Sequence, residues 1–368
     1  MIKIENLSAR FGSFRLRNIT LTIKPGEFFL LLGPTGAGKS LLLETILGIK
    51  KPDTGRILLD GHDIACMPLE SRDIAYVPQD LGLFPHMSPL ENILFGARIR
   101  RIDHQTIEKR LSYLTDHLNL SPLISRSTIH TLSGGEKQRV AFARAIITKP
   151  RVLFLDEPFS ALDSLHRREV QFQLKRLQKA IGMTIFHITH DQEEAFLMAD
   201  TVAVMINGSI EQHDRPEQCY RAPSNETVAS FLLMQNIFEA QVISVDHQRS
   251  SIICAAGDLT FEVMNNKPLQ VGDQIKLGIR PEEIVFVSPA KPMKPELRHN
   301  AYRVRVEALY NLGSRRLVRL AFLEAKTTTL DATVHYRIGK GFELTEGQET
   351  YIHLRPQSFC LLSSHART

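Results

Sequence analysis

The chain has 368 residues, 43% of them hydrophobic and 23% charged, ordinary for globular protein and long enough for two domains with cores of their own. Its 45 basic and 40 acidic residues leave a net charge of +5 that is not gathered into a basic run, which argues for a solvated surface of mixed sign and against nucleic-acid binding. Apolar runs such as Phe28–Leu32 are too short to cross a bilayer, residues 1–5 lack the pattern of a secretory leader, and Cys66, Cys219, Cys254 and Cys360 read as scattered reduced thiols with no C-x-x-C pair.

Residues 2–23 alternate apolar and polar side chains like half-buried strands, most clearly at Ile19, Leu21 and Ile23. Pro25-Gly26 turns the chain into the apolar strand Phe28–Leu32, which feeds Gly33-Pro34-Thr35-Gly36-Ala37-Gly38-Lys39-Ser40. This is a complete P-loop. Gly33, Gly36 and Gly38 let backbone N–H groups close around phosphate oxygens, and the helix beginning at Lys39 adds its N-terminal dipole. Lys39 suits the β- and γ-phosphates of a nucleoside triphosphate, and the Ser40 hydroxyl suits Mg²⁺. A turn that merely joined strand to helix would not need all eight positions. The helix is expected to end at Gly48, and Ile57-Leu58-Leu59 before Asp60-Gly61 reads as a hairpin strand and its turn.

From Ser88 to Thr131 the pattern is helical. Ser88-Pro89-Leu90-Glu91 is a capping box, and Ile107, Leu111, Leu114 and Leu118 share one helix face. Leu132-Ser133-Gly134-Gly135-Glu136 then opens another helix. Ser133 and Glu136 form a second capping box, which does not require two consecutive glycines; Gly134 and Gly135 leave a helix N-terminus bare enough for a phosphate to approach. Strands at residues 152–155 and 184–188 flank a helix at 164–180, the pattern of a parallel sheet with crossover helices. The first of these strands ends in Asp156 and Glu157. Asp156 is suited to hold Mg²⁺, and Glu157 to orient and deprotonate an attacking water.

Beyond about residue 235 the chain turns to short alternating strands with Gly and Asn/Asp turns, which predicts a small all-β region of one or two β-barrels of oligomer-binding type. Leu277-Gly278-Ile279-Arg280-Pro281-Glu282 and His353-Leu354-Arg355-Pro356-Gln357 look like related halves, separated by a Pro/Lys-rich linker at residues 288–298.

The P-loop and the LSGGE run, in this order, make the chain resemble the ATP-binding cassette family. The resemblance implies an α/β P-loop ATPase domain at residues 1–234 (RecA-like core, antiparallel β subdomain, helical subdomain at about 86–148). A TOBE-type regulatory domain would follow at 235–368. It implies ATP and Mg²⁺ as cofactors. Gln79, in Tyr76-Val77-Pro78-Gln79-Asp80, matches the Q-loop glutamine that senses Mg²⁺; Asp163, in Ser160-Ala161-Leu162-Asp163, the D-loop; and His190, in Ile188-Thr189-His190-Asp191, the switch histidine at the γ-phosphate. Phe11, before Gly12, takes the place of the aromatic that stacks on adenine, with Phe14 the alternative. In the family, Ser133, Gly134 and Gly135 cap the nucleotide held by a partner subunit.

One P-loop and one LSGGE run therefore imply a homodimer. An importer subunit of this kind sits peripherally on the cytoplasmic face of the cell membrane, with two transmembrane permease subunits and, indirectly, an extracytoplasmic substrate-binding protein. Residues 80–87 resemble the coupling-helix groove of such subunits, with exposed apolar side chains for docking. Details around Leu43-Glu44-Thr45-Ile46 and Asp73-Ile74-Ala75-Tyr76 look most like molybdate/tungstate importers. Sulfate, iron(III), polyamine and sugar importers share the architecture. A soluble ABC ATPase outside transport would favour a coiled-coil insertion or two cassettes. In some relatives the tail binds the oxyanion; here Gly313-Ser314-Arg315-Arg316 could supply N–H groups and guanidinium charge to a tetrahedral anion, but the sequence favours a basic hairpin turn in water.

Overall fold

The computed structural model describes residues 1–65, 67–68, 71–265, 267–287, 300–325, 327–335 and 344–363; Cys66 and the 288–298 linker lie outside them. Two compact units divide between Cys219 and Tyr220.

In the first unit, β1 (Ile2–Phe11) and β2 (Phe14–Ile23) pair antiparallel, and their alternation buries Ile4, Leu7, Ile19, Leu21 and Ile23. β3 (Phe28–Leu32) is buried at every residue, as a strand covered on both faces must be. It leads through the P-loop to α1 (Lys39–Leu47), which stops at Gly48 in the left-handed conformation, φ 82°. β4 (Thr54–Leu59) and β5 (His62–Asp63) join through Asp60 and Gly61, both at positive φ as a tight hairpin requires. These outer strands form an antiparallel sheet of order β2-β1-β4-β5.

After β6 (Ile74–Val77) come four helices: α2 (Pro89–Ile99), α3 (His104–Leu118), α4 (Ser121–Ile124) and α5 (Gly134–Ile146). Both arms of the Ser88–Glu91 capping box form, and Leu114 and Leu118 are buried on the inner face of α3. The alternation then resumes with β7 (Val152–Asp156), α6 (Ser164–Ile181), β8 (Thr184–Thr189), α7 (Gln192–Met198), β9 (Thr201–Ile206) and β10 (Ser209–Asp214). The six-stranded sheet runs β10-β9-β3-β8-β7-β6, parallel except for β10. The C-terminal ends of β3, β8 and β7 therefore lie side by side, the usual place for a ligand in such a sheet.

α8 (Pro216–Arg221) spans the division, and α9 (Glu226–Phe231) belongs to the second unit. The sequence puts the boundary after residue 234; the structure puts it earlier because Arg280, 5% exposed, holds the intervening segment. Its guanidinium donates to the Tyr220 carbonyl at 2.6 and 3.0 Å and to the Leu232 carbonyl at 2.9 Å.

The rest of the second unit is all β: β11 (Asn236–Asp246), β12 (Ser251–Ala256), β13 (Leu259–Met264), β14 (Gln274–Ile279), β15 (Ile284–Val287), β16 (Ala301–Asn311), β17 (Arg315–Phe322), β18 (Thr329–His335), β19 (Glu349–Leu354) and β20 (Phe359–Leu362). They form two five-stranded antiparallel sheets, β13-β12-β11-β14-β20 and β15-β19-β16-β17-β18, around one apolar core. Arg280-Pro281 and Arg355-Pro356 each end one strand, make a single 3₁₀ turn and start the next. β14 pairs with β20, and β15 with β19, so each turn carries the chain from one sheet into the other.

Candidate functional site

Three adjacent strand ends build the site. After β3, the P-loop folds tightly: a Cβ on Gly33 would lie 2.2 Å from the Met205 carbonyl oxygen, while one on Gly36 would meet nothing within 4 Å. Gly36 and Gly38 take φ of 82° and 100°, open to glycine alone without strain. Ala37 is buried beneath the loop, and Pro34, Thr35 and Gly36 are exposed on it. Lys39 is 6% exposed, with Nζ donating to the Gly33 and Pro34 carbonyls at 2.7 and 3.0 Å. Burial lowers its pKa, opposed by the charges of Glu157 and Asp156.

After β7, Asp156 hydrogen-bonds the Ser40 side chain. Burial, and then the Glu157 charge, raise the Asp156 pKa despite that bond and Lys39. Glu157 follows at φ 43°, a left-handed conformation that costs a side chain of this size energy, and its N–H donates to the Ile188 carbonyl at 3.0 Å. After β8, His190 Nδ1 stands 3.2 Å from Glu157 Oε2. Lys39, Ser40, Asp156, Glu157 and His190 thus converge. Gln79 leaves the neighbouring end of β6, exposed.

Other expected residues stand apart. Ser133 caps α5 in a complete capping box with Glu136, and Asp163 caps α6 through the N–H groups of Leu165 and His166. Among the described residues, neither they nor Gly134 and Gly135 hydrogen-bond or ion-pair with the converging group. Gly134 also has a packing reason to lack a side chain: its Cβ would come 3.0 Å from Leu162 Cδ2. Phe11 and Phe14 are both half-buried against the core. Phe14 lies under the P-loop, where its ring would sit 2.6 Å from a Cβ on Gly38, and Lys50 Nζ lies 5.0 Å from the Phe11 ring centroid.

Of the apolar side chains in residues 80–87, Pro85 is exposed as expected and the others are half-buried. Leu81, Leu83 and Phe84 are half-buried, because Phe84 packs on Phe95 at 4.5 Å and Arg144 lies over its ring while donating to the Leu81 and Gly82 carbonyls. A hollow of about 410 Å³ remains beside them, lined in part by Tyr76, Phe84, Phe95 and Arg100.

Two supporting contacts escape sequence reasoning. Gln138, 1% exposed, donates from Nε2 to the Pro158 carbonyl, tying the helix after Ser133 to the loop after Glu157. Behind His190, the buried Glu194 carboxylate accepts from Gln171 Nε2 at 3.1 Å and lies 2.7 Å from His187 Nε2. Thr189 also bonds it. The run Thr189-His190-Asp191 signals the loop, but not the side chains that hold it.

A family model described as ABC transporter matches residues 16–160. The molybdate/tungstate import ATP-binding protein WtpC of Pyrococcus abyssi is 38% identical over 96% of this chain and 98% of its own length. The chain belongs to the ABC transporter family. The Thermococcus kodakarensis WtpC is 40% identical over 84% of this chain and 89% of its own. A spermidine/putrescine import ATP-binding protein, PotA of Nitrosomonas eutropha, is 41% identical over 79% and 80%. Among solved structures, CbiO1 of Clostridium perfringens, part of the ABC transporter complex CbiONQ, is 34% identical with a TM-score of 0.55 over 60% of this chain and 90% of its own. A dimeric ABC cassette, MJ0796, in a post-hydrolysis state bound to ADP and Pi, is 28% identical with a TM-score of 0.52 over 59% and 99%. Among the described residues of this ABC chain, no helix is long and apolar enough to cross a membrane.

Proposed function

We propose that this ABC subunit binds and hydrolyses Mg-ATP as a homodimer and couples the hydrolysis to import of an oxyanion, molybdate or tungstate. The observation that carries the reading is the convergence of Lys39, Ser40, Asp156, Glu157 and His190 at three neighbouring strand ends. The site fits the nucleotide. The P-loop is open above Gly36, and the Lys39 ammonium, now turned onto loop carbonyls, is free to exchange them for phosphate oxygens.

Ser40 and Asp156 would hold Mg²⁺, with Gln79 approaching from β6; one carboxylate and one hydroxyl complete a hard-cation shell only with phosphate and water oxygens. When bound, Mg²⁺ neutralises charge on the β- and γ-phosphate oxygens. Glu157 accepts the proton of the attacking water as its oxygen bonds to the γ-phosphorus and the bond to the bridging oxygen breaks, giving ADP and phosphate. His190, within hydrogen-bond reach of Glu157, orients that carboxylate. Ser133, Gly134 and Gly135 serve the nucleotide on the second copy, as their separation from this chain's own P-loop group supports.

The subunit acts at the cytoplasmic face of the membrane with two permease subunits, docked at the hollow beside Phe84, and receives cargo through an extracytoplasmic binding protein. A TOBE-type regulatory domain at residues 235–368 lies within the second unit. Gly313 and Arg315 lie exposed in the β16–β17 hairpin, which keeps both the anion-binding and the plain turn readings. Molybdate or tungstate is favoured over polyamine because the WtpC of Pyrococcus abyssi aligns over 96% of this chain and 98% of its own length, whereas the PotA relatives align over 79% to 85% of the chain. The test is ATP hydrolysis by this chain co-purified with its membrane subunits and binding protein. Stimulation by molybdate or tungstate supports the cargo; stimulation only by sulfate, iron(III), polyamine or a sugar overturns it.

A further inference from the structure

A hollow of about 520 Å³ opens in the first unit at the N-terminal ends of β7 and β8, a strand length from the nucleotide site at their other ends. Five or six residues at roughly 3.3 Å each put the two about 15–20 Å apart. The size lies within the roughly 300–1,000 Å³ usual for small-molecule sites. Its floor is apolar, made by Leu114 of α3, Ile146 of α5 and Met183 before β8, all 6% exposed or less. At the mouth, Tyr113 and Ile181 keep 38% and 40% of their surface in water, a cost a monomer normally avoids for large apolar groups clustered together.

The rim carries cations only. Lys109, Arg110, Lys149 and Arg151 line the hollow, and no carboxylate does. Arg151 is already neutralised by Asp60 at 2.6 Å and Asp73 at 3.6 Å. The other three have no carboxylate within 4 Å among the described residues; Arg110 has one fixed contact, to the Ile147 carbonyl at 2.8 Å. Lys149 is presented by a backbone at φ 55°, immediately before the buried Pro150. Lys109, Lys149 and Arg110, the last partly offset by the Asp103 charge, surround an apolar well and match one kind of ligand in charge and in polarity.

We propose that this hollow binds a small amphipathic anion, with an acyl or aryl body on Leu114, Ile146 and Met183 and a carboxylate or phosphate head between Lys109, Arg110 and Lys149. The site is separate from the nucleotide's, so occupancy does not require ATP. It gives the subunit a second ligand, read at the junction of α3 with the parallel sheet.

Decanoate is the probe, titrated calorimetrically into the full chain without nucleotide. Saturable binding of one decanoate per chain is expected, with 1-decanol and acetate each at least about tenfold weaker, since one lacks the head and the other the body. The double variant Lys109→Glu, Lys149→Glu should lose at least about tenfold in affinity. Both lysines are exposed, so the variant should keep the wild-type circular dichroism and ATP hydrolysis. Ile181→Asp, at the exposed mouth, should weaken decanoate in the same way. Absence of saturable binding, equal binding of decanol, or decanoate affinity unchanged in the charge-reversed variant would each overturn the proposal. Competition by ATP would also overturn it, by assigning the binding to the P-loop.

Discussion

Replacing Glu194 by leucine tests whether the loop carrying His190 is held from behind by buried polar contacts. Glu194 is 4% exposed; His187, Thr189 and Gln171 around it are 0%, 3% and 3%. Leucine fills similar space but accepts nothing, leaving the His187 Nε2, the Gln171 amide and the Thr189 hydroxyl without their acceptor. His187 Nδ1 already has no partner, so the ring would lose its one hydrogen bond. At about 1–3 kcal/mol for each stranded buried group, and about 3–5 for breaking a buried pair, the loss should be about 3–5 kcal/mol. A domain of this size loses roughly 2–4 °C in Tm per kcal/mol, so the first unit should melt about 10 °C lower, followed by scanning calorimetry. Burial raises the Glu194 pKa, but the bond and charge of His187, the Thr189 hydroxyl and Arg167 outweigh it and leave it lowered. A lowered folded-state carboxyl stabilises above its unfolded pKa and loses that contribution as pH falls through the folded one. The gap between wild type and variant should therefore be full at neutral pH and shrink once pH falls below the ordinary carboxylate range. A Tm within about 2 °C of wild type at pH 7.5, or a gap that does not shrink in acid, would refute the reasoning.

Glu157→Gln keeps the side-chain shape but cannot take a proton, so hydrolysis should fall about 10²–10⁴-fold while ATP still binds; full steady-state turnover would remove Glu157 from its role. Gly33→Ala drives a Cβ to 2.2 Å from the fixed Met205 carbonyl, so nucleotide binding should be lost in a filter assay, and wild-type affinity would show that the loop can move. Gln138→Leu strands the buried Pro158 carbonyl, so Tm should fall by a few degrees, and it should lower kcat by about 10–100-fold, since it cuts the tie beside the catalytic loop; unchanged kcat would make that contact merely structural. Burial and Glu157 hold the Asp156 pKa above its ordinary value, so ionising Asp156 opposes folding above that range and the opposition disappears in acid; Mg-ATP should raise Tm more at pH 8 than at pH 5.

What the sequence made legible was local. Gly48, Asp60-Gly61, Ser88 and Ser133 each act within a few residues, and each ends or starts the element it announces. The P-loop and the Asp156-Glu157 strand end were readable for the same reason. Contacts between distant elements were not. Gln138 reads as one more helical residue until α5 packs against the loop after β7, and Glu194 reads as a first-turn acid until α7 lays it against His187. Phe84 looked exposed because nothing nearby in sequence covers it; Phe95, on α2, and Arg144, on α5, do.

The tail carries the longest-range consequence. Two matching runs, Leu277-Gly278-Ile279-Arg280-Pro281 and Ile352-His353-Leu354-Arg355-Pro356, suggest a duplicated unit, but not that the copies trade strands. β11 to β14 and β16 to β19 repeat the same order, and the last strand of each copy completes the sheet of the other. Without β20, β14 would be left as a bare edge, and without β15, so would β19; unpaired edges of this kind invite aggregation. The copies therefore belong to one cooperative unit, as their shared core also requires. They diverge at the repeated arginine. Arg355 is exposed, whereas Arg280 is buried, with its guanidinium 3.3 Å from the Tyr220 ring and its donors spent on Tyr220 and Leu232. A buried guanidinium is tolerated only when its donors are satisfied, so residues 220–232 must fold with the β-rich unit. That requirement, set by a residue some sixty positions downstream of Tyr220, groups residues 220–232 with the β-rich unit, a link that composition alone does not show.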